Sequence, residues 1–339
     1  MSDGEPITGT VVPLNQPARP PDSGGAPRLA ASVLAEAYAR ACAKMPAPVS
    51  DVAGYRIFWV LGDDVGWMDL PEGGAFAVIG RHRRCDVVLA EDPEVSLRHL
   101  LATTVQLADG TALRLVDLQT EVPFYLDDEV PRRSIVACGP VAVRLGNYVI
   151  GGMPLDPIGA ATEGRIIESA LPRAIVTEST LLPARMARAR FDPGGDTPEV
   201  RPVSSITVMR PSASIGELHE NPITREIPAG FAAVTLRRAG GYAPVILSEA
   251  ELDAGVLIGR VVHCRHEGLR SVLDTNISRG HLLLLHHHDT FEAFDLCSTQ
   301  GTFAGGRSVR RVKLLDTGTR ITMAFHNSVE LEWHPRQSG

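Results

Sequence analysis

Two stretches of this 339-residue chain repeat the same spaced residues, and this repeat constrains the fold more than any other feature of the sequence. An Ile-Gly-Arg-x-x-x-Cys block begins at Ile79 and again at Ile258. A Ser-x-x-His block follows each time, at Ser96 and at Ser278, and an Asp-Leu pair comes after it. Chance supplies one such block easily but rarely supplies the ordered set twice, so the repeat predicts two tandem copies of one domain.

Both repeated regions have the pattern of β-rich domains. Short apolar runs, such as residues 55–61 and 75–79, are broken by turn residues, and Asp109-Gly110 has the composition of a hairpin turn. The same pattern of short strands returns between residues 231 and 333. The predicted fold class is therefore all-β, with two antiparallel β-sandwich domains.

The composition of the chain divides it into four parts. Pro, Gly and Ser are frequent at the start, and Pro, Ser and Thr are frequent between the two β-rich blocks, where no apolar period is sustained. We therefore predict an arm, a first domain, a long disordered linker and a second domain. Their predicted bounds are 1–50, 51–155, 156–228 and 229–339.

The arm contains one segment with regular apolar spacing. Residues 29–45 place apolar side chains at the spacing of one helical face, and Pro46 and Pro48 end the pattern. The sequence therefore predicts one amphipathic helix at 29–45. Such a helix can pack on its own domain or serve as a docking helix for a partner, and both alternatives stay open.

Charge and cysteine content exclude several classes of protein. With 33 Lys and Arg against 40 Asp and Glu, the net charge is -7, which argues against a general nucleic-acid binder because a phosphate backbone selects a basic surface. The five cysteines form no Cys-x-x-Cys pair, which fits a reducing compartment better than a disulfide framework. The sequence has neither a signal-like segment nor an apolar run of roughly 18–20 residues, so we expect a cytoplasmic protein without membrane insertion.

The spaced residues of the second block resemble the signature of the forkhead-associated (FHA) family, whose members read phosphothreonine. The block has a Gly-Arg pair at Gly259, a Ser-Arg-Gly-His run at Ser278 and a Thr-Gln-Gly turn at Thr299. The first block resembles a degenerate copy. The resemblance implies two FHA-like sandwiches in a phosphothreonine-peptide-binding adaptor of serine/threonine kinase signalling, with no catalytic residues, no enzyme activity, no metal and no cofactor.

The resemblance assigns roles to residues of the second block. The residues that bind the phosphopeptide would be Arg260, Ser278, Arg279, Thr299 and Gln300, and those that support the site would be Gly259, His281 and Gly301. A phosphate dianion is bound best by a guanidinium fork, a hydroxyl donor and N–H groups. The family has Asn at the position of Gln300, and the longer side chain is expected to weaken affinity about tenfold, or ~1.4 kcal/mol, with phosphate recognition retained.

The first block departs from the family pattern at its turn. Arg81, Ser96 and Arg98 form a possible weak site. Leu97 follows the serine, and Val122 and Pro123 stand where the family has Asn and Gly. Because Pro cannot adopt a positive φ and Glu121 would repel a phosphate, the first domain is expected to pack, dimerise or bind unphosphorylated protein. Weak phosphate binding is the alternative.

Three other groups of residues could carry a function. His286-His287-His288 lies where a hairpin turn is expected, and consecutive strand residues point to opposite faces, so no metal site is predicted. Cys85 and Cys264 occupy matched positions and are interpreted as core residues. The two Ser-x-x-His pairs lack a third orienting group, so a hydrolase is not predicted.

The expected partner is a threonine-phosphorylated protein, such as a serine/threonine kinase or its substrate. The linker contains Thr177, Thr180, Thr197 and Thr207, and phosphorylation of one of them would allow self-binding at high effective concentration. The alternative function is a phosphate-independent scaffold in a secretion or signalling assembly. Frequent Gly and Pro, 32 and 25 residues, together with Ala and Arg, suit a GC-rich bacterium.

Overall fold

The computed structural model describes residues 30–47, 53–108, 110–156, 164–168, 173–176, 231–238, 241–259, 277–287, 290–325 and 328–335. These residues belong to two compact units, and the division falls after Leu171, inside the predicted linker. None of the helices in these ranges is long and apolar enough to cross a membrane. The predicted roles of Arg260, Cys264 and the four linker threonines concern residues outside these ranges.

Within the described ranges, the first unit has one helix and two six-stranded sheets. Its elements are α1 (Ala30–Lys44), β1 (Gly54–Leu61), β2 (Asp64–Pro71), β3 (Phe76–Gly80), β4 (Val87–Val88), β5 (Leu100–Leu107), β6 (Gly110–Asp117), β7 (Phe124–Tyr125), β8 (Pro131–Arg132), β9 (Ser134–Cys138), β10 (Val141–Leu145), β11 (Tyr148–Pro154) and β12 (Arg165–Glu168). One sheet has the order β2-β1-β11-β10-β7-β8, and the other has the order β12-β9-β6-β5-β3-β4. Most neighbouring strands are antiparallel, as predicted, but β3 and β4 are parallel.

Apolar residues of both sheets meet in one core in the first unit. Ile57 of β1 and Leu113 of β6 belong to the same buried cluster. Tyr55 joins the sheets, because its hydroxyl donates to the carbonyl of Ala137 at 3.0 Å and accepts from the N–H of Gly139 at 3.0 Å. Burial raises the pKa of Tyr55 to about 12.

Helix α1 covers part of the first sheet. Leu34 and Ala41 are buried against Phe58, on the helical face that the apolar spacing predicted. Near the end of the helix, the side chains of Arg40 and Lys44 donate to backbone carbonyls of the β1–β2 turn. The helix therefore packs on its own unit, which is one of the two alternatives that the sequence left open.

The described part of the second unit repeats this architecture with one short helix. Its elements are β13 (Arg173–Val176), β14 (Phe231–Arg238), β15 (Gly241–Ser248), α2 (Glu249–Ala254), β16 (Val256–Gly259), β17 (Leu282–His287), β18 (Thr290–Asp295), β19 (Thr302–Ala304), β20 (Arg307–Val309), β21 (Arg311–Leu314), β22 (Thr319–Met323) and β23 (Val329–His334). The sheet orders are β13-β16-β17-β18-β21 and β15-β14-β23-β22-β19-β20. Leu284 of the first sheet and Leu331 of the second belong to the same core cluster.

The repeat that the sequence predicts is visible in matched backbone hydrogen bonds. In the first unit the N–H of Leu118 donates to His99 at 2.9 Å, and in the second the N–H of Leu296 donates to His281 at 3.0 Å. The strands β5 and β6 correspond to β17 and β18, and each pair is antiparallel. The two β-rich blocks therefore share one fold.

Two short strands lie inside the stretch predicted as a disordered linker, and the sequence analysis did not predict them. Strand β12 pairs antiparallel with β9 of the first unit, and β13 pairs parallel with β16 of the second. Four residues are too few for an apolar period to be recognised, and pairing with a distant strand leaves no local signal. Beside β16, strand β13 takes the position that β4 takes beside β3.

The short helix α2 was also not predicted, although the sequence contains its start signal. The hydroxyl of Ser248 accepts from the N–H of Glu251 at 3.3 Å, and the carboxylate of Glu251 accepts from the N–H of Ser248 at 2.8 Å. This reciprocal Ser-x-x-Glu arrangement is a capping box. The helix leads directly into β16, whose end lies at the candidate site.

Candidate functional site

The end of strand β16 packs closely against the loop that contains Ser278 and Arg279. A Cβ atom on Gly259 would lie 2.0 Å from the carbonyl oxygen of Arg279 and 2.8 Å from that of Ser278. Only glycine permits this approach. Gly259 therefore brings the end of β16 beside the Ser278–Arg279 loop, where a ligand could reach both. Arg260, the next residue, lies outside the described ranges.

A buried imidazole connects this loop to the turn before β19. The Nδ1 atom of His281 accepts from the N–H of Ser278 at 3.4 Å, which leaves Nε2 as the protonated nitrogen, and Nε2 donates to the carbonyl of Gly301 at 3.1 Å. The backbone N–H of His281 donates to Ile258 of β16 at 2.9 Å. His281 thus holds three chain segments together and does not face a ligand, since the residue is fully buried.

The loop and the turn also meet directly through Ser278. Its hydroxyl oxygen accepts from the N–H of Thr299 at 3.0 Å. Among the described residues, this hydroxyl has no acceptor for its own hydrogen. The side chain is only 8% exposed, so it forms the floor of the edge. Such a hydroxyl can donate to one oxygen of a bound anion.

Exposed polar groups surround this floor. Arg279 and Thr299 are exposed, and Gln300 is partly exposed. Arg279 directly follows Ser278 in the loop, while Thr299 and Gln300 lie in the turn that contacts the Ser278 hydroxyl. The structure therefore brings four of the five predicted phosphopeptide-binding residues to one edge. The fifth, Arg260, is not described.

The turn is held by a buried carboxylate that the sequence analysis did not assign to the site. Asp295 accepts from the N–H of Ser298 at 2.8 Å, from its hydroxyl at 2.6 Å and from the hydroxyl of Thr302 at 2.5 Å. Cys297 and Gly301 have φ values of 55° and 79°, so the turn needs two left-handed residues. The Asp-Leu pair shared by the two blocks was the available signal for this support.

An aromatic pair beside the turn was also missed. The rings of Phe303 and Phe325 have centroids 5.9 Å apart, and Phe325 is 70% exposed. The N–H of Ala324 donates to the carbonyl of Gly301 at 3.0 Å, which places Phe325 beside the turn. No sequence spacing marks an exposed phenylalanine in a loop, so only the structure reveals this apolar surface.

The corresponding edge of the first unit keeps the same backbone support. The Nδ1 atom of His99 accepts from the N–H of Ser96 at 2.9 Å, and Nε2 donates to the carbonyl of Val122 at 2.8 Å. Burial is the largest cause that lowers the pKa of His99 to about 4, so the imidazole is neutral at physiological pH. The backbone N–H of Arg81 donates to the carbonyl of Ser96 at 2.9 Å, and the Nε of the Arg81 side chain donates to the carbonyl of Val95 at 3.1 Å.

A second buried carboxylate supports the turn of the first unit. Asp117 accepts from the N–H of Thr120 at 2.7 Å and from a guanidinium nitrogen of Arg133 at 2.7 Å. Burial outweighs these favourable contacts and raises the pKa of Asp117 to about 6. Arg133 also donates to the carbonyls of Thr120 and Glu121, at 2.7 and 3.1 Å, so one side chain holds most of the turn.

The groups facing solvent differ between the two edges. Leu97, which is 49% exposed, follows Ser96 where Arg279 follows Ser278. Glu121 is exposed in the turn of the first unit, and Pro123 stands two residues later. The first edge therefore lacks the arginine directly after the serine and the turn glycine that the second edge presents, although its supporting histidine is preserved.

The histidine run and the cysteines show no clustering in the described residues. His286 and His287 belong to β17, while His288 and Asp289 lie outside the described ranges. The Nδ1 atom of His286 lies 2.7 Å from a carboxylate oxygen of Asp253, but no group of three potential metal ligands occurs in the part of the chain that the structure describes. Cys85 is buried in the first unit.

Several solved structures are similar to part of this chain. Rv1747 FHA-1 of Mycobacterium tuberculosis is 22% identical over 31% of this chain and 99% of its own, with a TM-score of 0.23. The yeast Dun1 FHA domain, solved with a doubly phosphorylated peptide derived from Rad53, is 14% identical over 35% of this chain and 85% of its own, with a TM-score of 0.26. Mycobacterium tuberculosis EmbR, solved with a low-affinity phosphopeptide, is 21% identical over 32% of this chain and 25% of its own, with a TM-score of 0.22.

A comparison with curated proteins finds no match. The family comparison, in contrast, matches the second unit from the first residue of β16 to the residue after β22. The matched model is that of the FHA domain, and the matched residues are 256–324. They include both segments of the edge described above, the Ser278 loop and the Thr299 turn. The second unit of this chain therefore contains an FHA domain at residues 256–324.

Proposed function

We propose that the second unit binds threonine-phosphorylated peptides and that the chain is an adaptor in serine/threonine kinase signalling. An FHA domain is a recognition module rather than a catalytic one. The observation that carries the proposal is the Ser278 hydroxyl, which is fixed by the Thr299 N–H at 3.0 Å and followed by the exposed Arg279. A hydroxyl donor and a guanidinium at one edge suit a phosphate dianion.

The ligand of this edge is proposed to be another protein, either a serine/threonine kinase or a kinase substrate. In this proposal the chain has no enzymatic activity of its own and works in the cytoplasm. Gln300 reaches the peptide main chain in place of the family's Asn. The extra methylene adds a rotor that binding must order, so the complex is expected to be weaker by about tenfold than with Asn.

The linker of the same chain is a second candidate ligand. Strand β13 runs parallel to β16, and Val176 is in register with Gly259. The sequence continues from Val176 into Thr177-Glu178-Ser179-Thr180. Because Val176 pairs with Gly259, and Gly259 lies against the Ser278–Arg279 loop, a phosphate a few residues after Val176 would have a short tether to the edge, which raises its effective concentration.

The test is a titration of the full chain with a degenerate phosphothreonine peptide library and the same library without phosphate. We expect micromolar binding that requires the phosphate. Arg260→Ala and Arg279→Ala should each weaken it at least tenfold, whereas Arg307→Ala, a change at an exposed arginine of β20, should not. Equal binding of both libraries would reject the reader and favour a phosphate-independent scaffold.

A further inference from the structure

The first unit carries a dense cluster of arginines at the edge that lost its phosphate-binding pattern. We call Arg81, Arg83, Arg84 and Arg98 the basic hook. The first three are exposed and Arg98 is partly exposed, in a chain whose net charge is -7. A Cβ atom on Gly80, the residue before Arg81, would lie 2.8 Å from the Cα atom of Arg98, so Arg98 meets the loop of the other three arginines. His82 lies in that loop, and its pKa is lowered by burial and then by the charges of Arg98, Arg84 and Arg83.

The backbone of the hook is fixed by hydrogen bonds to the neighbouring loop. The N–H of His82 donates to the carbonyl of Leu97 at 3.0 Å, and the N–H of Cys85 donates to His82 at 2.9 Å. The thiol of Cys85 also donates to Leu97 at 3.2 Å. A charged loop with a fixed backbone loses little backbone entropy when a ligand binds.

Apolar surface accompanies this charge. Leu97 is 49% exposed and Val88 is 37% exposed. Val88 is in register with Gly80, and a Cβ atom on Gly80 would lie 2.6 Å from the carbonyl of Leu97, so all three lie at the same end of β3. Two exposed aliphatic side chains beside four arginines suit a ligand that is acidic and partly apolar.

Several features argue against a phosphate as this ligand. The exposed Glu121 would face a dianion at the turn, and Leu97 replaces the arginine that follows the serine in the second unit. The Nε–H of Arg81 is already donated to Val95 at 3.1 Å. Carboxylates spread along the loop of Arg83 and Arg84 would meet more positive charge than one phosphate placed at the turn.

We propose that the basic hook, together with Leu97 and Val88, is a docking surface for an acidic, unphosphorylated segment of another protein. The carboxylates of that segment pair with the guanidinium groups, and one of its aliphatic side chains covers Leu97 and Val88. The first unit then recruits a partner independently of the phosphopeptide edge of the second unit. This surface would allow the chain to connect two different proteins.

The test uses the full chain and an array of unphosphorylated peptides in which Asp and Glu surround one Leu, Ile or Val. A matched array has Asn and Gln in place of the acids. We expect the best acidic peptides to bind with micromolar affinity near 50 mM salt and to weaken steeply as salt rises. Arg83→Ala/Arg84→Ala should weaken them at least tenfold, while Arg307→Ala/Arg320→Ala, at exposed positions of the second unit, should not.

Three outcomes would overturn the proposal. The first is equal binding of the acidic and amide arrays, or no binding of either. The second is that peptides bind only when they carry a central phosphothreonine, and that Arg83→Ala/Arg84→Ala abolishes this binding. The basic hook would then be a phosphate site. The third is hook-dependent binding to vesicles of phosphatidylglycerol without binding to acidic peptides, which would assign the surface to a membrane. Circular dichroism of the double variant checks that the fold is retained.

Discussion

The hydroxyl oxygen of Ser278 accepts a hydrogen bond from the backbone N–H of Thr299 at 3.0 Å, and this contact joins the two segments of the FHA edge. Both segments are also tied to β16, the first through Gly259 and the second through His281. The positions of Ser278 and Arg279, which we propose to bind the phosphate, therefore depend on backbone contacts more than on the side chains that face solvent.

The first prediction concerns that contact. Ser278→Ala leaves the Thr299 N–H without its acceptor and removes the hydroxyl donor, so we expect about 1 kcal/mol of lost stability and at least tenfold weaker phosphopeptide binding. Isothermal titration and urea denaturation measure the two effects. The matched change Ser308→Ala, on the exposed strand β20, should alter neither. Unchanged affinity in Ser278→Ala would remove the hydroxyl from the proposed site.

A second prediction follows from the close approach of β16. A methyl group in Gly259→Ala would overlap the carbonyl of Arg279, so the Ser278 loop must move, with an expected cost of about 2 kcal/mol and loss of phosphopeptide binding. Gly280→Ala is the control, since its nearest neighbour would be a side-chain carbon of Leu296 at an ordinary 3.5 Å. Similar thermal unfolding of both variants would show that the loop adapts without strain.

The same close approach explains why part of the site could be predicted from the sequence. Gly80 and Gly259 have no room for a side chain, and His99 and His281 bridge loop and turn in both units. Packing therefore demands these residue types at these spacings, and the spacings are visible without a structure. Phe325 is the opposite case, because an exposed ring in a loop satisfies no packing requirement.

Part of the fold could likewise be predicted from the sequence, and part of it could not. Two β-sandwiches could be predicted because short apolar runs and turn residues recur in each block. The pairing of β13 with β16 could not be predicted, since Arg173–Val176 precedes Val256–Gly259 by some eighty residues and its local sequence does not name a partner strand. Strands formed from a linker depend on the edge they meet rather than on their own composition.

A third prediction uses the opposite pKa shifts of the first unit. The pKa of Asp117 is about 6 in the folded chain against about 3.8 unfolded. Its contribution to the free energy of unfolding is therefore fully present below pH 3.8 and is lost as the pH rises through 6. His99 titrates at about 4 against 6.5, so its contribution is present above pH 6.5 and is lost as the pH falls toward 4. Between pH 4 and 6, a fall in pH therefore raises the stabilising contribution of Asp117 and lowers that of His99.

Asp117→Asn removes one of these opposing terms. The variant should therefore lose stability more steeply than the wild type as the pH falls from 6 to 4, by about 2 kcal/mol over the whole interval. Urea denaturation at several pH values measures the difference, and Asp127→Asn, at an exposed position, is the control. Parallel pH profiles for Asp117→Asn and the wild type would contradict the shifted pKa of this carboxyl.

A fourth prediction concerns an ion pair in the second unit between a buried carboxylate and an exposed arginine. Glu292 is 3% exposed and accepts from two nitrogens of Arg311 at 2.7 and 2.6 Å. Arg311→Ala leaves that carboxylate buried without its main partner, and because the Arg311 side chain is partly solvated we expect a loss of about 1–3 kcal/mol. The double change Glu292→Leu/Arg311→Met should recover most of it. Denaturation that shows equal losses in the single and double variants would indicate that the pair is not the cause.

The last prediction transfers the turn of the second unit to the first. The residues Glu121-Val122-Pro123 would be replaced by the Thr-Gln-Gly that stands at Thr299, with Leu97→Arg supplying the missing charge. Arg133 still holds the carbonyl of residue 120 at 2.7 Å, so the turn should keep its support. Removing Glu121 takes a negative charge from the edge, and glycine restores the possibility of a positive φ.

The experiment is made in a chain that carries Arg260→Ala and Ser278→Ala, so that the edge of the second unit no longer binds phosphopeptides. We expect phosphate-dependent peptide binding to appear in the transferred chain and to be at least tenfold stronger than in the silenced parent. Adding Ser96→Ala should remove it, which shows that the gain uses the preserved serine. If no binding appears while the fold is intact, residues 97 and 121–123 are not what separates the two edges.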